Sequence, residues 1–323
     1  PTFQKLIRSR RGGKPWPIPL PELLTLSTGE MSFYLKFQKI SLQAMVKVKL
    51  GLSLFINEVI LFGLTLVVGL YTAYYYSFYF GDLAQDGMLN FTPTDLFILA
   101  ILFAAIFFVA RHKKVARFSF RLFLLLVVFS GTQVILGAFV SSPWNLVLAI
   151  VFTLIFERGR NVLFHDLGII LGIGGVAATF GLSISVEFGL ILLVALSFYD
   201  IIAVYVTKHM VTMARSMVES GAVFGFLIPF EFRGFFHGRE EAKAGIGENF
   251  MILGSGDIAL PLVFAASLVR VSLVSAIITA VFSLLGLFLT HILFLNQEKR
   301  KAMAALPPIA TLTIIGYLVS QLL

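Results

Sequence analysis

Two stretches decide the fold: 187–206, EFGLILLVALSFYDIIAVYV, and 249–269, NFMILGSGDIALPLVFAASLV. Each is close to the ~20 apolar residues that a helix needs to cross the ~30 Å hydrocarbon core of a bilayer. Apart from Glu187 at its edge, the first carries one acid, Asp200, and the second carries only Asp257. An acid inside such a run is costly, so each marks a candidate functional position.

Runs of the same kind recur along the chain. Reading apolar runs against polar breaks predicts nine spans, at about 52–80, 96–110, 120–140, 143–156, 163–183, 187–206, 249–269, 272–296 and 303–323. The composition agrees. The 323 residues are 58% apolar and 13% charged, with a mean hydropathy of +0.94, whereas soluble chains have about 45–50% and about 25%. The expected fold class is therefore all-α, a polytopic membrane protein with nine transmembrane helices. A large soluble domain is excluded. The absence of Cys excludes a disulfide scaffold, Cys-ligated zinc and a thiol nucleophile. Residues 1–30 are basic and Pro-rich and lack the pattern of a cleavable signal peptide.

The basic residues give a direction. Lys and Arg cluster in residues 1–49, in 111–121, at Arg158 and Arg160, between Lys208 and Lys243, and at Lys299, Arg300 and Lys301; only Arg270 falls in the other set of loops. Loops rich in Lys and Arg stay cytoplasmic. The N-terminus is expected inside and the C-terminus, after nine spans, outside. The net charge of +8 then reflects membrane orientation, and no nucleic-acid partner is expected. Residues 1–49 form a basic, Pro-containing cytoplasmic or membrane-surface segment. Its 31–49 stretch can present Lys36, Lys39 and Lys47 on one helical stripe and Phe33, Phe37 and Ile40 on another, which suits a helix in the interface. Residues 50–323 form the nine-span domain, with 207–248 as a long cytoplasmic loop.

Asp200 and Asp257 lie at matching depths. Each is eight or nine residues from a charged border, at Lys208 and Glu248, which is roughly 12–14 Å along a helix. Consecutive antiparallel spans pack together, so the two carboxyls can face each other. A facing pair shares a proton. It can hold a water, take its proton for attack on a carbonyl, and protonate the leaving amine. Peptide hydrolysis within the membrane fits. The same residues would equally serve a buried interhelical bond, or a proton- or cation-coupled transporter or leak channel, and spacing alone leaves these open. Gly254-Ser255-Gly256 before Asp257 admits close backbone approach. Pro261 removes the amide that would bond the Asp257 carbonyl. A helix weakened at its acid suits a protease and also a transporter.

Tyr199-Asp200 resembles the YD motif, and Gly254–Asp257 the GxGD motif, of the presenilin and signal-peptide-peptidase intramembrane aspartyl proteases. Ala305-Leu306-Pro307 at the start of span nine is similar to their PAL region, with Ala304 standing where that family usually has a first proline. The resemblance covers about residues 50–323 and is closest to the prokaryotic presenilin homologues. Type IV prepilin peptidases also carry GxGD, but with a different arrangement of spans and no C-terminal proline motif.

The resemblance implies an intramembrane aspartic endopeptidase in which Asp200 and Asp257 are catalytic. It implies that Tyr199 packs beside them, that Gly254, Ser255 and Gly256 shape the cleft, and that Ala305, Leu306 and Pro307 help position substrate. It also implies strands near the start of span seven, at Asn249, Phe250, Met251, Ile252 and Leu253 and within 222–230, as a short β-hairpin in the loop between spans six and seven. A substrate segment would pair with them. The substrates implied are transmembrane segments of single-pass proteins or remnant signal peptides, held in the lipid bilayer. No metal, cofactor or obligatory subunit is implied, and a homo-oligomer is compatible. The presenilin-like orientation of spans six and seven implies substrates with their N-terminus outside.

Other conspicuous residues have plainer readings. Span one is expected to start late enough to leave Glu58 near the headgroups, because 59–80 alone can span. Tyr71, Tyr74, Tyr75, Tyr76 and Tyr79 fit an interfacial aromatic belt. Gly168, Gly172, Gly174, Gly175, Ala177 and Ala178 give span five a small-residue face for close packing. His165 and His209 lie at span ends without a ligand-spaced partner. Met210, Met213 and Met217 suggest an amphipathic cap on the cytoplasmic mouth.

Overall fold

The computed structural model describes residues 28–79, 113–207, 223–297 and 302–322, the side chains of 28–50, 79 and 113–117 excepted. Span two and the methionine-bearing stretch 208–220 lie outside the described residues. The chain divides at Leu50 into two units. The first contributes helical backbone from Thr28; all that follows concerns the second.

Five helical segments are long and apolar enough to cross a membrane: Gly51–Phe78, Phe118–Gly137, Val162–Ser183, Val186–Val206 and Leu273–Leu295. Two apolar helices are shorter, Gly256–Leu268 and Leu306–Ser320, and Trp144–Arg158 has 15 residues. The protein is thus a multi-pass membrane protein, but the described residues do not reach the nine spans expected.

At span seven the helical run read from hydropathy gives way to the strand that the family resemblance implied. The first third of that run is a strand, and the helix begins only at Gly256. The 13-residue helix Gly256–Leu268 is about 20 Å long, and an extended strand supplies the remaining reach. The depth estimate for Asp257 from helical rise therefore does not hold, since Asp257 lies in the first helical turn. Glycines on both sides of Ser255 mark the change from strand to helix.

β1 (Gly225–Pro229) pairs antiparallel with β2 (Phe250–Gly254), Leu227 standing opposite Ile252. The two strands form a short antiparallel sheet where a short β-hairpin was expected. The connection runs through a 3-10 turn, Phe232–Phe236, and a short helix, Arg239–Ala244. That excursion is pinned to the loop between spans four and five. Val162 N–H donates to the His237 carbonyl, Arg239 N–H to the Arg160 carbonyl, and the Arg239 guanidinium to the carbonyls of Phe156, Glu157 and Gly159. The last three are carbonyls that the end of helix Trp144–Arg158 leaves without helical partners.

Helix Val162–Ser183 is the hub, packing against Lys113–Gly137, Gly256–Leu268 and β1. Its small face allows this. Gly168, Gly172, Gly174, Gly175, Ala177 and Ala178 are all buried, and a Cβ placed on Gly175 would lie 2.1 Å from the Gly131 carbonyl oxygen. Helices Leu273–Leu295 and Leu306–Ser320 form a second close pair, and a Cβ on Gly286 would lie 2.6 Å from the Ile309 Cα. Phe264, Leu193, Ala178, Leu306 and Ala310 belong to one buried apolar cluster that joins spans five to nine.

Candidate active site

Asp200 lies at the end of the regular helix Val186–Ile201, just before a π-helical turn, Ile202–Val206. Such turns widen a helix and are frequent at functional sites. The side chain is 6% exposed, and its Oδ2 accepts the Leu306 N–H at 3.3 Å. Leu306 opens the last helix, with a proline in its first turn. Asp200 thus caps a helix N-terminus, where the backbone dipole favours a carboxylate. The turn is steadied from behind, because the Thr290 hydroxyl donates to the carbonyls of Gly286 at 2.9 Å and Ala305 at 3.4 Å.

Asp257 is reached from the sheet. β2 ends at Gly254, whose N–H donates to the Asp257 carboxyl. A Cβ on Gly254 would lie 3.0 Å from Asp257 Oδ2, so a side chain there would crowd the acid. Asp257 is half-buried and close enough to Asp200 for their charges to interact. The structure therefore brings residues of spans six, seven and nine to one place. An apolar groove of about 290 Å³ opens beside it, with Phe123, Val127, Gly172 and Val176 along its walls and Ser255 and Gly256 at its end.

Other residues read from the sequence sit differently. Tyr199 is 53% exposed; one helical position from Asp200, its side chain leaves the helix about 100° away. Asn249 and Phe250 do not offer an open edge. The Asn249 carbonyl accepts Phe230 N–H, Asn249 and Phe250 donate to Gly245, and the Phe250 carbonyl accepts Gly247 N–H. Since Phe230 pairs with Asn249 and Ser255 N–H donates to Phe224, the antiparallel alternation aims Met251 and Leu253 at β1 and Ile252 at the opposite edge. Among the described residues no bond outside the ladder engages the Ile252 main chain.

Two buried polar groups, Asn57 and Asp166, escaped the sequence reading, and a third, His165, was read only as a span-end residue. Asp166 Oδ1 accepts Leu227 N–H at 2.9 Å, His165 Nε2 donates to the Gly225 carbonyl at 3.0 Å, and Asn57 Nδ2 donates to the Pro229 carbonyl at 2.8 Å. Glu58 is a further correction. It is 1% exposed, its Oε2 2.9 Å from His291 Nδ1, and the apolar helical segment Gly51–Phe78 includes it instead of starting after it. Asp200 and Asp257 are therefore not the only acids within the spans. The missed signal was the polar pairs Asn57-Glu58 and His165-Asp166, each followed by an apolar helix.

The class of the protein, an intramembrane aspartyl protease, follows from its family. The family model described as "Signal-peptide peptidase, presenilin aspartyl protease" matches residues 88–323, and the chain belongs to that family. Two solved structures of a presenilin-family intramembrane aspartate protease share its fold. One is 20% identical with a TM-score of 0.51, covering 80% of this chain and 94% of that one. The other is 23% identical with a TM-score of 0.51, covering 81% and 96%. No curated protein matches the sequence.

Proposed function

We propose that the protein hydrolyses peptide bonds within transmembrane segments, with Asp200 and Asp257 as the catalytic pair. The observation that carries this reading is the convergence on Asp200 of the Leu306 N–H and the charge of Asp257, in surroundings that are otherwise apolar. One acid is ionised and the other protonated. The ionised carboxylate takes a proton from water as its oxygen attacks the scissile carbonyl carbon, and the protonated acid gives its proton to the carbonyl oxygen. Proton transfer to the amide nitrogen then lets the C–N bond break, leaving a carboxylic acid and an amine.

The substrate segment adds in extended form to the Ile252–Gly254 edge of β2, which supplies main-chain hydrogen bonds without reading side chains. Its remaining helix occupies the apolar groove beside Ser255 and Gly256. The Ala305-Leu306-Pro307 turn holds Asp200 in place, and Gly254 keeps the approach to Asp257 clear. Single-pass proteins and remnant signal peptides with an outer N-terminus are the substrate class. No feature of the described residues favours the transporter reading over this one.

The test is incubation of a synthetic single-span peptide with the purified protein and with Asp200→Ala and Asp257→Ala, followed by mass spectrometry. Cleavage by the parent and none by either folded variant is expected. Undiminished cleavage by either variant would sink the assignment.

A further inference from the structure

We infer that Asn57, His165 and Asp166 are positioning residues: they close one edge of the two-stranded sheet and thereby fix where substrate can join the other. This rests on the protease reading above. The chemistry at each position is matched. In β1 the even-numbered residues point their main chain at β2, and Gly225, Leu227 and Pro229 point theirs away. Two of the three carbonyls there meet donors, His165 Nε2 and Asn57 Nδ2, and the central amide, that of Leu227, meets an acceptor, Asp166 Oδ1. Pro229 has no amide to satisfy, and none is provided for. Asn57, His165 and Asp166 are 1%, 2% and 1% exposed, so they act where water cannot substitute for them.

Consequences follow for the reaction. A strand edge occupied by side chains cannot accept another strand, so addition to β1 is blocked. On β2 the turn at Gly245–Gly247 occupies Phe250. Among the described residues, the stretch from Ile252 to Gly254 is what is left, which allows one register. The same stretch ends on the amide that holds Asp257. Displacement of β1 is therefore passed through the ladder to both the substrate and the acid. The clamp is anchored in spans one and five, which carry neither acid, so the register is set by the scaffold and not by the catalytic residues.

The test compares the full-length protein with Asp166→Leu, Asp166→Asn and Asn57→Ala in lipid vesicles on the same peptide. Cleavage sites are read by mass spectrometry, together with KM and kcat, and sheet amides by hydrogen exchange. The parent is expected to cut at one dominant bond. Asp166→Leu and Asn57→Ala should spread cleavage over neighbouring bonds and raise KM roughly tenfold, with a smaller change in kcat. Exchange over 225–229 and 250–254 should quicken by about tenfold, as for loss of one buried hydrogen bond. Asp166→Asn, which keeps an acceptor for the Leu227 amide, should return the products to the parent's bond. Parent-like cleavage sites and KM in both disruptive variants would overturn the inference. Should Asp166→Leu not fold, Asn57→Ala and its exchange pattern decide. Failure of the parent itself to cleave would remove the protease reading instead, while exchange at the sheet would still test the clamp.

Discussion

At the scale of single residues, Glu58 shows what makes an acid tolerable inside the bundle. Its partner His291 comes from span eight, and both side chains are nearly inaccessible. The other carboxyl oxygen, Oε1, has no hydrogen-bond partner among the described residues, so the histidine contact is its main compensation. His291→Ala is expected to lower stability by about 1–3 kcal/mol, the usual loss when a buried polar group is left without its partner. Thermal unfolding in detergent measures it, and an unchanged midpoint would show that Glu58 finds another partner. Glu58 was misplaced from sequence because its run of apolar residues is longer than a membrane requires. Its partner is 233 residues away, so no local pattern announces the pair.

At the scale of elements, the span-five helix was legible in the residues themselves, whereas the strand at the start of span seven was expected from the family resemblance and not from periodicity. Glycine and alanine at helical spacing announce a face that lets backbones approach, and Gly175 meets Gly131 across it. Gly175→Ala should cost about 1–3 kcal/mol through overpacking. Gly63→Ala, where nothing lies within 4 Å of the added Cβ, should be neutral or stabilise by up to about 1 kcal/mol through helix propensity. Melting both proteins side by side checks the contrast; equal effects would mean that the helix contact yields. Asn249–Leu253, by comparison, is a short apolar run, and its periodicity cannot separate a strand from a buried helix turn. The residues that make it a strand belong to β1, across a 20-residue connection, and to the side chains behind β1.

At the scale of the whole molecule, we propose a direction of the chain through the membrane from where the cations lie. The protein has no Cys, so single cysteines report on each side without background. Glu240→Cys, in the excursion between β1 and β2, should react with an impermeant maleimide only from the cytoplasmic side. Ser141→Cys, between spans three and four, should react only from outside. Labelling of both from one face would refute the orientation and, with it, the expected direction of the substrate.

The sequence by itself determined that the chain is a bundle of apolar helices, which loops hold the cations, and which two aspartates lie within apolar runs beside glycine and proline. These are properties of composition and short-range order, where transfer free energy and helical period act on neighbouring residues. Only the tertiary structure decided the register in which β2 pairs with β1, that Leu306 lends its amide to Asp200, and that Asn57, His165 and Asp166 grip β1. Each of those contacts joins residues far apart in the chain. In an apolar interior a main-chain group takes whatever partner the packing brings, and that partner is not written in the residues beside it.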